Sequence, residues 1–134
     1  MLQFTKYADA PARALMAAIF VLSGLGKLGA VVATQGYMAM FGVAPILIWP
    51  TIALEIGGGL LLLIGLWTRP VALLLSGFCL VSAAVFHTAF ADQTQMIMFL
   101  KNVAMAGGLL LLAKDGAPGL SVGALLLRRR EARS

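Results

Sequence analysis

Charge is scarce in this chain. Of its 134 residues 11% are charged, only five are acidic, and there is one histidine and one cysteine. Each scarcity removes a class of function. Cys79 stands alone, so it forms no internal disulfide and no paired-thiol redox centre, and with a single histidine it cannot complete a zinc cage. One histidine also excludes bis-histidine haem within one chain. Neither a phosphate loop nor a zinc motif occurs. Met96, Met98 and Met105 follow no repeated spacing, so they are read as packing or lipid-facing residues, not copper ligands. Ten basic residues against five acidic give a net charge of +5. A nucleic-acid binder displays such charge on a polar surface, which this composition lacks, so no nucleic-acid partner is expected.

What is present is hydrophobic: 61% of the residues are apolar, well above the balance of a soluble domain. A hydrocarbon core of about 30 Å is crossed by roughly 20 helical residues, and four runs of that order stand out, near residues 11–29, 45–66, 70–90 and 96–113. The expected fold is all-α, a four-helix transmembrane bundle in residues 1–116, with a basic tail in residues 117–134. Pro11, Pro45 and Pro70 open three of the runs, where a missing amide hydrogen costs nothing. The short link Trp67-Thr68-Arg69 makes its two helices antiparallel neighbours. The loop from Ala30 to Ala44 carries no charge, and Met38, Met40 and Phe41 suit a short helix lying along the interface. Leu120 to Leu127 is too short to span and ends in Arg128, Arg129 and Arg130, as a surface-lying tail would. Arg13 before the first run, with Val31-Val32-Ala33 after it, mimics a signal peptide; Lys27 within the run and the run's length argue for a retained helix.

Lys6, Arg13, Arg69, Lys114, Arg128, Arg129, Arg130 and Arg133 fall on one side of this topology, and the loops of the other side have no basic residue. The positive-inside rule then places both termini in the cytoplasm of a bacterial inner membrane, with the lipid bilayer as the first partner. Trp49 and Trp67 bracket the second run at about 27 Å of helical rise, fitting interfacial aromatics at its two ends. Arg13, Arg69, Trp49 and Trp67 are accordingly read as interface or structural residues.

Lys27, Glu55, His87, Lys101 and Asn102 remain within the membrane region or at its lip, where polar groups need partners. Counted at about 1.5 Å per residue, Lys27 lies roughly 21 Å above Arg13, Glu55 roughly 18 Å above Trp67, and Lys101 roughly 20 Å above Lys114. Three helices thus put a charge in one layer of the outer half, with His87 at its mouth. Ser23, Gly24, Gly58, Gly59 and Gly108 share these helix faces and permit close approach. Two lysines and one carboxylate leave one unmatched positive charge, suited to an anion or a polarised carbonyl oxygen. The same three charges could equally serve as register pins. His87 fits either a hydrogen-bonded helix end or a proton carrier, and Cys79 reads as a small apolar filler. No metal ligand set is expected.

At these positions the sequence resembles the DoxX family of small bacterial membrane proteins: Arg13 with Phe20-Val-Leu-Ser-Gly-Leu-Gly-Lys27, then Glu55-Ile-Gly-Gly-Gly-Leu-Leu-Leu-Leu-Ile-Gly-Leu-Trp-Thr-Arg69, then Phe86-His87, then Phe99-Leu-Lys-Asn102 and Gly107-Gly108. The resemblance covers about residues 10–113. It implies a four-helix membrane protein in a family named after a subunit of a thiosulfate to quinone oxidoreductase, with Lys27, Glu55, Arg69, His87, Lys101 and Asn102 matching its polar pattern. The similar quinone-linked thiol oxidoreductases rely on paired cysteines, which are missing here, so a redox role needs a partner or a bound quinone. Two readings follow. In one, a quinone-linked oxidoreductase component, Lys27, Lys101 and Asn102 hold a quinone or oxyanion while Glu55 and His87 act as catalytic proton relays, with a soluble or membrane redox partner. In the other, a non-catalytic bundle anchors or assembles a partner, its buried ions fix register, and its basic tail contacts anionic lipid or an acidic protein. A solute permease would require a homo-oligomer, since four helices enclose little volume.

Overall fold

The computed structural model describes residues 2–134, with the side chains of residues 2, 3, 5 and 6, and so that of Lys6, outside the description. The described residues form helices joined by turns and short irregular segments, with no strand among them. The elements are α1 (Leu2–Leu28), α2 (Val31–Met40), α3 (Ile48–Ile64), α4 (Thr68–Phe86), α5 (Gln93–Asp115) and α6 (Val122–Glu131). A single 3₁₀ turn at Pro45–Leu47 leads into α3. Four stretches are long and apolar enough to cross a membrane: Tyr7–Leu28, Pro45–Ile64, Thr68–Phe86 and Gln93–Asp115. Large apolar side chains such as Leu73, Leu74, Leu110 and Leu111 point outward, as expected where lipid replaces water as the solvent.

The first helix corrects the sequence-based boundary. Pro11 lies inside α1 instead of opening it. Its ring removes one backbone hydrogen bond, but continuing the helix through it places Asp9 one turn before Arg13, and the carboxylate Oδ1 accepts a hydrogen bond from Arg13 Nε at 3.2 Å. α4 stops at Phe86, short of residue 90, with His87 at its C-terminal cap. α5 begins at Gln93, three residues before the expected start, because Asp92 accepts from the Thr94 and Gln95 amides and caps it. The loop after α1 holds the short helix expected there, with Met38 buried.

α1 packs along α3 and α4 along α5, while the two pairs touch less. The α1–α3 seam is made close by Gly59: a Cβ there would come within 2.7 Å of Val21 Cγ2 and 3.3 Å of the Ala17 carbonyl oxygen. One core, including Ala17, Phe20, Leu62, Leu75, Ala106 and Leu109, fills the half of the bundle nearer the chain termini. A smaller one, Met38, Ile48 and Ile52, lies under α2, roofed by the mutually packed rings of Tyr37, Phe41 and Phe86.

Arg13 ties the terminal end together. Its side chain is wholly buried, and its guanidinium donates to the Leu62 and Leu63 carbonyls at 3.0 and 2.9 Å and to the Leu120 carbonyl. Of these, the Leu63 carbonyl lies where the end of α3, closed by left-handed Gly65, supplies it no amide partner, whereas the Leu62 carbonyl also accepts from the Gly65 amide at 3.2 Å. Asp9 completes the network by accepting from the Gly119 amide at 3.1 Å. α6 is therefore bound to the bundle at its start: Ser121 caps it, and the Gly123 amide donates to the Gly65 carbonyl at 3.2 Å. Arg13→Met leaves the buried Asp9 carboxylate without its cation and the Leu63 carbonyl without a donor, and should cost about 3–5 kcal/mol. Denaturant unfolding in detergent micelles measures this, and limited proteolysis should show residues 117–134 cleaved faster than in wild type.

Candidate functional site

Above the larger core the two helix pairs separate. Met16 of α1 rests on Gly108 of α5, where a Cβ would come within 2.7 Å of its terminal methyl carbon; beyond that contact α1 and α5 enclose, with α3 and α4, a cavity of about 950 Å³. Its walls are mostly apolar, with Leu22, Phe78, Val85 and Met105 among them. Into this space the fold brings Lys27, Glu55, His87, Lys101 and Asn102 together, from α1, α3, α5 and the C-terminal cap of α4.

Their roles in the structure differ. Lys27 Nζ lies 3.0 and 2.9 Å from the two Glu55 carboxylate oxygens. Ser23, one turn earlier on α1, accepts from Lys27 Nζ at 2.8 Å and donates to Glu55 Oε1 at 3.1 Å. The Glu55 side chain is 4% exposed and that of Lys27 25%, so the pair is buried on its carboxylate side and open to the cavity on its ammonium side. Lys101 also lines the cavity and takes no part in the ion pairs found among the described residues, Arg13–Asp9 and Lys27–Glu55. With His87 neutral, the charges of Lys27, Glu55 and Lys101 leave the cavity one positive charge in excess. His87 Nδ1 is 2.9 Å from Gln95 Oε1, a bond from the end of α4 to the start of α5 that fixes the ring at the cavity's rim.

Arg13 and Arg69 lie at the other end of the bundle and take no part in this cavity. Trp49 and Trp67 are exposed at opposite ends of α3. Cys79 is buried in the larger core and touches the cavity wall. The sequence pattern marks Ser23 only as a small residue, yet its spacing of four from Lys27 is the signal for a same-face hydrogen bond. Gln95 goes unmarked in the sequence, as do Tyr37 and Thr34 of α2, which line the cavity from above; their place depends on how α2 folds back, which helical periodicity does not encode.

A family model described as DoxX matches residues 8–88, which include Lys27, Glu55, Arg69 and His87. The chain is 42% identical over 118 residues to Inner membrane protein YqjF of Escherichia coli (strain K12), covering 88% of this chain and 91% of that protein. It is 35% identical over 118 residues to Inner membrane protein YphA of the same organism, covering 83% and 84%. No solved structure matches.

The asymmetric burial of the pair has a measurable consequence. Lys27→Met leaves a buried carboxylate uncompensated and should cost about 3–5 kcal/mol. Glu55→Gln keeps a hydrogen-bonding partner for a lysine that reaches the cavity and should cost less, about 1–3 kcal/mol. The double variant should be more stable than the sum of the two losses implies, and unfolding of all four proteins in one detergent closes that cycle.

Proposed function

The chain belongs to the DoxX family of membrane proteins, and from that premise we propose that it is a redox component of the bacterial inner membrane that binds a quinone, or a small oxyanion, in its outer-half cavity. The observation that carries the reading is the convergence of polar groups from all four spanning helices on one apolar-walled space with an excess of positive charge. An apolar enclosure with a few convergent polar groups is the usual form of a small-molecule site. A quinone fits it by chemistry: apolar walls suit the ring and tail, and cationic donors suit the carbonyl oxygens.

In this reading both termini are cytoplasmic. The support is the distribution of charge: Arg69, Lys114 and the arginines of α6 gather at the Arg13 end, whereas the end roofed by α2 has no basic residue beyond Lys27 and Lys101 of the cavity itself. A bound quinone would supply two-electron chemistry that none of the side chains offers. The protein's own groups then bind and handle protons. Lys101 and the Asn102 amide donate to an oxygen in the cavity. Lys27, oriented by Glu55 and Ser23, is the acid positioned to hand over a proton through Nζ as negative charge develops. Glu55 takes up the returning proton within the pair, and His87, its Nδ1 engaged with Gln95, exchanges protons at the rim through Nε2.

Thermal unfolding of the detergent-purified protein tests the reading. A short-chain quinone should raise the wild-type midpoint by several degrees, whereas Lys101→Met and Asn102→Leu, which break no ion pair, should lose most of that shift while unfolding near the wild-type temperature without ligand. Sulfate or thiosulfate protecting in place of the quinone would assign the site to an oxyanion. An unchanged midpoint with every probe would sink both versions.

A further inference from the structure

The Arg13 end holds a second cavity, of about 650 Å³, between the α3–α4 turn and α6. Arg69, Arg129, Arg130 and Arg133 line it without a single carboxylate. The ion pairs found among the described residues involve none of these four. Asp115, beside the wall residue Gly116, and Glu131, beside Arg130, do not line it.

Two further observations at the same place point to an anion. Thr68, another wall residue, is 5% exposed, and its hydroxyl oxygen is the one buried side-chain polar atom among the described residues that has no hydrogen-bond partner. Such a group in a native interior calls for an explanation. Thr68 is also the first residue of α4, a 19-residue helix whose start at Trp67 has no side-chain cap. The first amides of a helix have no partner within it and carry its positive dipole end, the usual place for a phosphate. Around this polar centre the wall is apolar, with Leu66, Leu126 and Leu127. Trp67 and Leu127 are 68% and 61% exposed, at the level where a membrane-embedded bundle meets headgroups. α6 is no loose tail here, since its first turn is bonded to Gly65 and held through Arg13 and Asp9.

The geometry points to a binding site for the phosphate group of an anionic membrane phospholipid. The phosphate takes the Thr68 hydroxyl, the Thr68 and Arg69 amides that open α4 ahead of Pro70, and the four guanidinium groups, and the acyl chains run along Leu66, Trp67 and Leu127. The apolar flank selects a lipid over dissolved phosphate, and the positive charge selects an anionic headgroup over a zwitterionic one. The site lies at the opposite end of the bundle from the outer-half cavity, so it stands whatever that cavity binds.

Native mass spectrometry of the full chain in mild detergent, titrated with phosphatidylglycerol or with phosphatidylcholine of the same acyl chains, tests it. Wild type should retain phosphatidylglycerol at least ten-fold better. Arg129→Gln/Arg130→Gln should lose about ten-fold. Thr68→Val, which preserves shape and fills no new space, should lose about three-fold while unfolding no earlier than wild type. Arg128→Gln, outside the lining, should change retention less than two-fold. Equal retention of the two lipids, a Thr68→Val protein that binds as wild type, or an Arg128→Gln loss matching that of the Arg129→Gln/Arg130→Gln protein would each overturn the site. Displacement of the lipid by millimolar inorganic phosphate would overturn the lipid assignment in favour of a soluble anion.

Discussion

The fold depends on a guanidinium group with no access to water. Arg13 is fully buried, and a lone cation in that position is prohibitively costly. It persists because every side of it is occupied: a carboxylate from its own helix, two carbonyls from the end of α3 and one from the segment before α6. The Leu63 carbonyl, at the end of α3, has no amide donor of its own, while Leu62 also accepts from the Gly65 amide. By bonding α1 to the end of α3, the arginine sets how far the two helices can slide along one another. That register, reinforced where Val21 and Ala17 lie against Gly59, is what brings Ser23 and Lys27 level with Glu55.

With α1 fixed on α3 and α4 fixed on α5, the remaining variable is how the pairs meet. Near the terminal end they close over Leu62, Leu75 and Leu109. Toward α2 they do not, and the space between them becomes the cavity that holds the polar layer. Tyr37 and Phe86 line it on that side, and Phe41 packs against both at centroid separations of 5.0 and 5.2 Å. An open end of this kind needs α2 as a cover, which is why the first connection is long while the second, at Gly65, is a tight turn.

Much of this is legible in the sequence. Length and hydropathy locate the four spans, and rise per residue places Lys27, Glu55 and Lys101 in one layer, since both depend only on helix geometry and bilayer thickness. Asp9 escapes notice when the first helix is started at Pro11, although a carboxylate four residues before Arg13 is itself a helical signal. Asp92 escapes because apolar counting ignores caps. The docking of α6 is unreadable in principle: it rests on Arg13 reaching the Leu120 carbonyl, a contact between residues 107 positions apart that no local pattern announces. Pairing is similarly non-local. Spacing puts two lysines near one glutamate but does not choose between them, and the structure gives Glu55 to Lys27.

That choice bears on whether the polar layer is a register pin. The chain contains an internal standard for a purely structural pair, Arg13 with Asp9, in which both side chains are almost wholly buried, at 1% and 6% exposure, and the remaining donors go to backbone carbonyls. Lys27 and Glu55 are built differently. The carboxylate is enclosed, but the ammonium faces a cavity large enough for a small molecule, and a second lysine stands on the same cavity without an acidic partner. A pin requires neither the cavity nor Lys101. The cationic site proposed for a carbonyl or oxyanion requires both, and in that reading the enclosed glutamate holds Lys27 in place at the cavity wall.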